Sequence, residues 1–231
     1  MKKIIYLLLL LSASVQAVNV DKMLITAIDD DEEKSQITVI NSDNFPVFVK
    51  IELTELINNE EMKFNSDDFK HWPIYLDKNE LIIDPKSRIK VTVNNLLKAL
   101  GTTIKNDRVV GISFIPQTYQ EDEKNKSSLS VLTGFKVWYI IPHNKAKVLG
   151  NAEIKQDKKK LMLVNNTDTT LQFYIDSCGT SKDNPKECSD SVLVLPKRMK
   201  DVTFDASYHG VVIITTKDLR KRYRKEFKII F

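Results

Sequence analysis

Between Leu129 and Pro142 the sequence reads LSVLTGFKVWYIIP, and its apolar residues alternate: Leu129, Val131, then Phe135, Val137 and Tyr139. Successive side chains on a strand point to opposite faces, so these residues form one apolar row along a long strand. A highly charged segment, Tyr119 to Ser128, precedes the row, and a proline closes it. Two readings fit. Alternation is the general mark of a half-buried core strand; a strand of this length is also suited to pairing with another chain's exposed sheet edge.

The same period recurs along the chain. Residues 34–41 (KSQITVIN), Val47 to Leu53 and Arg88 to Val93 alternate, with Phe45-Pro46 and Asp84-Pro85-Lys86 as turn signals between them. Val109 to Ile115 ends at Pro116. After Pro142 the pattern restarts with Lys160 to Val164, the turn Asn165-Asn166-Thr167-Asp168, Thr170 to Ile175, Ser191 to Leu195, Val202 to Phe204, Val211 to Thr215 and Phe227 to Phe231. Asn94 to Leu100 is the one helical-looking segment. Short strands separated by turns indicate an all-β chain of immunoglobulin-like β-sandwiches, with a linker near His143 to Lys147.

The first 17 residues read as an export signal: Lys2 and Lys3 before the apolar run Ile4 to Leu11, then Val15-Gln16-Ala17 as a cleavage site. That run is short of the roughly 20 residues a membrane span needs, and no later segment approaches it. The expected divisions are a signal peptide at 1–17, an N-terminal domain at 18–143 and a smaller domain at 144–231. A soluble periplasmic protein without stable membrane insertion is expected. The formal charge of +4 falls to +2 without Lys2 and Lys3, which argues against a dedicated nucleic-acid binder. The basic run Lys217 to Lys228 reads as a solvated strand face or hairpin, or else as a docking surface for an acidic partner.

Cys178 and Cys188, an even pair in an exported chain, read as a disulfide. His71, His143 and His209 show no ligand spacing, and no metal site or cofactor is expected. Asp29 to Glu33 lacks the alternation of a calcium loop and reads as a solvated turn. No nucleophile elbow, cysteine–histidine pattern or phosphate-cradling glycine loop occurs, so no catalysis is expected.

In order, the signal, the alternating strands, DPKSRIKV at 84–91, SFIP at 113–116, the charged loop, the long strand ending in proline and the smaller β-domain resemble the periplasmic pilus chaperones of the chaperone–usher pathway. The second domain, with Cys178 and Cys188 around a polar loop followed by VLVLPK at 192–197, is most similar to the alpha-fimbrial, EcpB-type branch. The resemblance implies two immunoglobulin-like domains in an L-shaped (boomerang) arrangement. It also implies that pilus subunits are bound by donor-strand complementation, through Leu129, Val131, Thr133 and Phe135, and delivered to an outer-membrane usher. The loop at 119–128 would extend the strand on binding.

In that family two basic residues in the interdomain cleft hold the subunit's C-terminal carboxylate, whose burial needs charge-assisted donors. The matching positions are Lys136 and Lys22. Lysine stands at 22 where the family usually has arginine, and Lys136 lies one residue further from the closing proline than the family's lysine. Ile141 replaces an arginine common before the proline, so the interdomain ion pair that arginine supports is not expected. Self-association capping the donor strand is a further expectation, since an exposed apolar strand invites aggregation. The alternative to a chaperone is an exported two-domain adhesin or pilus-associated binding protein.

Overall fold

The computed structural model describes residues 16–28, 35–58, 60–65, 71–117, 132–178 and 188–231. They form two compact units. One takes in the chain up to Ile25, Asp31–Leu96 and Val110–Tyr139; the other takes in Thr26–Asp30, Leu97–Val109 and Ile140–Phe231.

The first unit is a sandwich of two sheets. Its strands are β1 (Gln16–Val20), β2 (Leu24–Thr26), β3 (Gln36–Asn41), β4 (Val47–Ile57), β5 (Glu60–Lys63), β6 (Ile74–Leu76), β7 (Glu80–Ile83), β8 (Arg88–Asn95), β9 (Arg108–Gln117), β10 (Leu132–Thr133) and β11 (Phe135–Ile141). A single helical turn, α1 (Leu96–Ala99), follows β8. One sheet runs β10-β1-β3-β8-β6. The other runs β2-β11-β9-β4-β5, with β7 also on β4.

Alternation decides what lies between the sheets. Ile37, Val39, Val91 and Val93 come from the first; Val47, Val49, Ile112, Phe114, Val137 and Tyr139 come from the second, all essentially inaccessible. Each such side chain stabilises by about 1.5–3 kcal/mol when buried. At the turn after β7, Pro85 presets φ and Lys86 takes φ 55°, while the Ser87 N–H donates to Asp84 O at 3.2 Å.

The second unit holds β12 (Ala152–Asp157), β13 (Lys160–Asn165), β14 (Leu171–Asp176), β15 (Ser189–Val194), β16 (Arg198–Thr203), β17 (Val211–Asp218) and β18 (Arg224–Ile230). They make a three-stranded sheet, β12-β13-β16, and a four-stranded sheet, β15-β14-β17-β18. Leu161, Leu163, Leu171, Phe173, Val212 and Ile214 form the centre of its core. Cys178 and Cys188 are bonded, with their Cα atoms 4.9 Å apart, and close the end of the β14–β15 hairpin. The expected disulfide is present.

Both units fasten the end of a strand in the same way. Asn41, the last residue of β3, is buried, and its side-chain N–H groups donate to Phe45 O at 2.8 Å, Ile83 O at 3.0 Å and Asp84 O at 3.1 Å. Asn165, the last residue of β13, donates to Thr169 O and Val194 O, both at 2.8 Å, and accepts from Thr167 N–H at 2.9 Å. Each buried amide satisfies backbone groups that the ending ladder leaves open. The sequence carries the repeat as ITVINSD and LMLVNNTD.

His143, at the start of the stretch expected to be a linker, is inaccessible, and its backbone N–H donates to Asp107 Oδ1 at 2.9 Å. Arg222 donates through Nη1 to His143 O at 3.0 Å and Lys145 O at 2.6 Å, and through Nε to Asp218 Oδ2 at 2.9 Å. The basic run at 217–228 does form a hairpin, but Arg222 is drawn in by these acceptors and the inaccessible Asp218 side chain.

Candidate partner-binding edge

The single long strand expected at 129–142 is broken. β10 ends at Thr133, Gly134 separates it from β11, and the two pieces lie in different sheets. The chain passes close to β9 at this point: a Cβ at Gly134 would stand 2.9 Å from the backbone oxygen of Phe114. Only glycine lets the chain pass there without displacing β9.

The neighbouring N-terminal strand makes the same change of sheet. β1 pairs with β3 as far as Val20, and β1 also pairs in parallel with β10 (Gln16 with Leu132, Ala17 with Thr133). At Asp21 the ladder to β3 is completed by a side chain: Asp21 N–H donates to Thr38 O at 3.1 Å, and Thr38 N–H donates to Asp21 Oδ1 at 2.9 Å. The chain then crosses to β11, where Trp138 N–H donates to Met23 O at 2.9 Å and Ala27 N–H donates to Ile140 O at 2.8 Å.

The apolar row is divided in function as well as in backbone. Val137 and Tyr139 are core residues of the first unit, and Phe135 is half-buried. Burial raises the Tyr139 hydroxyl's pKa, opposed by a hydrogen bond with Ser35. Thr133 is exposed at the end of β10. Leu129, Val131 and the charged loop at 119–128 lie outside the described residues, as do residues 1–15 and the acidic run at 29–33.

Lys136 lies on the outer face of β11, in a small polar cluster. Its ammonium pairs with Glu61 Oε2 on β5, and it sits 5.4 Å from the centre of the Trp138 ring. Thr54 on β4 donates its hydroxyl to the same Glu61 oxygen at 3.1 Å. Gly111, opposite Thr54 across β4–β9, makes room for the arrangement. A Cβ there would meet Thr54 Oγ1 at 2.6 Å, Lys136 Cδ at 3.2 Å and Trp138 Cζ3 at 3.2 Å. The Lys136 ammonium holds the Glu61 carboxyl below the usual carboxylate range, against partial desolvation and with help from Thr54.

Lys22 pairs with its neighbour Asp21 at 3.6 Å, and both side chains are about one-third accessible. Glu61, Trp138 and Gly111 were not singled out from sequence. Glu61 sits in EEMK, a charged strand with no apolar alternation, and nothing local in the sequence joins it to Lys136, 75 residues away. Among the described residues no group of His, Cys, Asp and Glu side chains is placed to hold a metal ion. None of their helices is long and apolar enough to cross a membrane.

Residues 20–142 match the family model described as the CS5 fimbrial protein N-terminal domain. The chain is 27% identical over 217 residues to an Escherichia coli protein, the uncharacterized 25.9 kDa protein in the CS5 3′ region, covering 90% of this chain and 91% of that one. Among solved structures, the class 5 fimbriae chaperone CfaA is similar with a TM-score of 0.52 at 12% identity, over 93% of this chain and all of CfaA. A chain from the Salmonella enterica complex of the SafA pilin with the SafB chaperone is similar with a TM-score of 0.53 at 11% identity, over 95% of this chain and 99% of that one. At such identities the structural likeness is one of fold: all-β, immunoglobulin-like, extending through both units.

Proposed function

The chain belongs to the CS5 fimbrial protein N-terminal domain family, and from that premise we propose that it is a non-catalytic periplasmic chaperone for fimbrial subunits. It lends a subunit its strand at residues 129–135 and passes the subunit to an outer-membrane usher. The signal at 1–17 exports it, residues 18–143 form the subunit-binding domain, and 144–231 form the second domain. Free protein caps its donor strand by self-association.

The observation that carries this reading is the position of β10. It is the terminal strand of its sheet, paired on one side only among the described residues, and it adjoins the Leu129–Val131 row. An unpaired edge offers main-chain donors and acceptors to an incoming strand, and alternate side chains supply selectivity. Leu129, Val131, Thr133 and Phe135 are the donated residues.

Lys136 and Lys22 anchor the subunit's terminal carboxylate. Trp138 N–H to Met23 O and Ala27 N–H to Ile140 O define a parallel register in which Leu24 faces Trp138. Lys22 and Lys136 each stand two residues before that facing pair, and adjacent strands run about 4.8 Å apart. A carboxylate accepts charge-assisted hydrogen bonds from two ammonium groups at once.

Co-purification from the periplasm with a co-expressed fimbrial subunit tests the reading. Wild type retains the subunit, Val131→Asp loses it, and Lys136→Ala retains much less. A folded Val131→Asp protein that keeps the subunit would rule out strand donation through this row.

A further inference from the structure

We propose that Glu61 is a built-in competitor for the carboxylate site: it occupies Lys136 in the free protein and must leave before a partner's terminal carboxylate can bind. This rests on the reading of Lys136 as the anchor. The Lys136 ammonium already has a carboxylate ligand, which reaches it from β5 across β4 and β9. The site is shaped for that ligand. Gly111 lets the lysine stem lie flat over β9, Thr54 supplies a second donor to the same Glu61 oxygen, and the Trp138 ring flanks the ammonium.

Glu61 is nevertheless easily released. Its side chain is 38% accessible, and it stands on a four-residue strand whose side chains are all exposed. Two carboxylates cannot share one ammonium at contact distance without mutual repulsion. An arriving C-terminus therefore exchanges with Glu61 rather than adding to it. In the free protein the exchange partner keeps a lysine beside an aromatic ring from remaining an uncompensated cation on a binding face. It also raises the threshold for ligands: a weak acceptor does not displace a carboxylate, whereas another carboxylate does.

The experiment compares wild type, Glu61→Gln and Lys136→Ala for binding to two forms of one purified fimbrial subunit. One form has its native C-terminus; the other carries a C-terminal hexahistidine extension that moves the carboxylate away. Thermal melting checks that each variant folds. Glu61→Gln is expected to tighten binding of the native subunit by about two- to fivefold, the scale of one exposed ion pair, and to leave the extended subunit unchanged. Lys136→Ala is expected to weaken the native subunit and remove any benefit of Glu61→Gln in the double variant.

If Glu61→Gln binds the native subunit no better than wild type while Lys136→Ala still weakens it, Glu61 positions the lysine and the competitor role is wrong. Equal tightening of both subunit forms would also overturn it. If Lys136→Ala binds both forms as wild type does, the anchor assignment itself fails, and with it the role of Glu61.

Discussion

Asp107 accepts two hydrogen bonds from Thr170, one from the backbone N–H and one from the hydroxyl, both at 2.7 Å. The same carboxylate accepts from the Thr169 hydroxyl at 3.1 Å and from the His143 N–H at 2.9 Å. One side chain thus satisfies donors from two separate stretches of the second unit. Asp107→Ala leaves them without an acceptor and is expected to lower stability by about 2–3 kcal/mol. A fall in the urea midpoint with an unchanged slope checks this.

Asp218 is a second such centre. Its carboxylate accepts from Arg222 Nε at 2.9 Å and from the Tyr223 N–H at 2.7 Å, within the β17–β18 turn. Removing it leaves Nε of Arg222 without its acceptor, beside an Nη2 that is buried with no partner among the described residues. Asp218→Ala is expected to cost about 3 kcal/mol or more, as for other broken buried pairs. The double variant Asp218→Ala/Arg222→Met recovers part of that loss, and a double-mutant cycle in urea reads the coupling.

Asp168 gives the second unit an acid-sensitive element. Burial pushes its carboxyl up, but the Leu149 N–H, the Lys145 ammonium and the nearby His143 outweigh burial and hold it below its usual value of 3.8. A carboxyl depressed in the folded state contributes stability that is complete above the unfolded value and is lost as pH falls through the folded one. Wild type should therefore be more stable than Asp168→Asn at neutral pH. The gap should close only below about pH 4, which thermal melts at stepped pH would record.

Reduction of Cys178–Cys188 opens a link across 10 residues. Loop-closure entropy for that length corresponds to roughly 2–3 kcal/mol. The Cys178→Ser/Cys188→Ser protein should melt at the same temperature as reduced wild type, and both should melt below oxidised wild type.

Gly134→Ala brings a methyl group to 2.9 Å from Phe114 O, a backbone atom that cannot turn aside. The expected cost is about 1–3 kcal/mol. Under the proposed function, subunit retention should fall too, because this residue joins β10 to β11.

The strands that bury an apolar row were plain from their pattern: β3 and β8 follow the alternation of QITVIN and RIKVTV, and β17 follows the apolar run VVIIT. The strands missed lack a long apolar row: Ile74–Leu76 has only three residues. Glu60–Lys63 has four exposed side chains, the second half of Ala152–Asp157 is exposed, and β18 begins at Arg224, three residues before its apolar part. The close pass of Gly134 by Phe114 joins distant parts of the chain, which no local pattern records. Lys136 was named through the family resemblance, while nothing in the sequence near it points to Glu61, 75 residues away. Asp107 and Asp218 look like ordinary loop acids until the donors around them are seen.

The double change of sheet at Asp21 and Gly134 has a mechanical consequence. Two strands running side by side in the same direction each stitch one sheet to the other, so tension applied along Leu132–Ile141 is divided between both layers. Parallel neighbours must slide past one another to separate, breaking their cross-links together rather than unzipping them one at a time. An edge held by sliding contacts gives way less readily to a lengthwise pull than one held by a ladder that unzips.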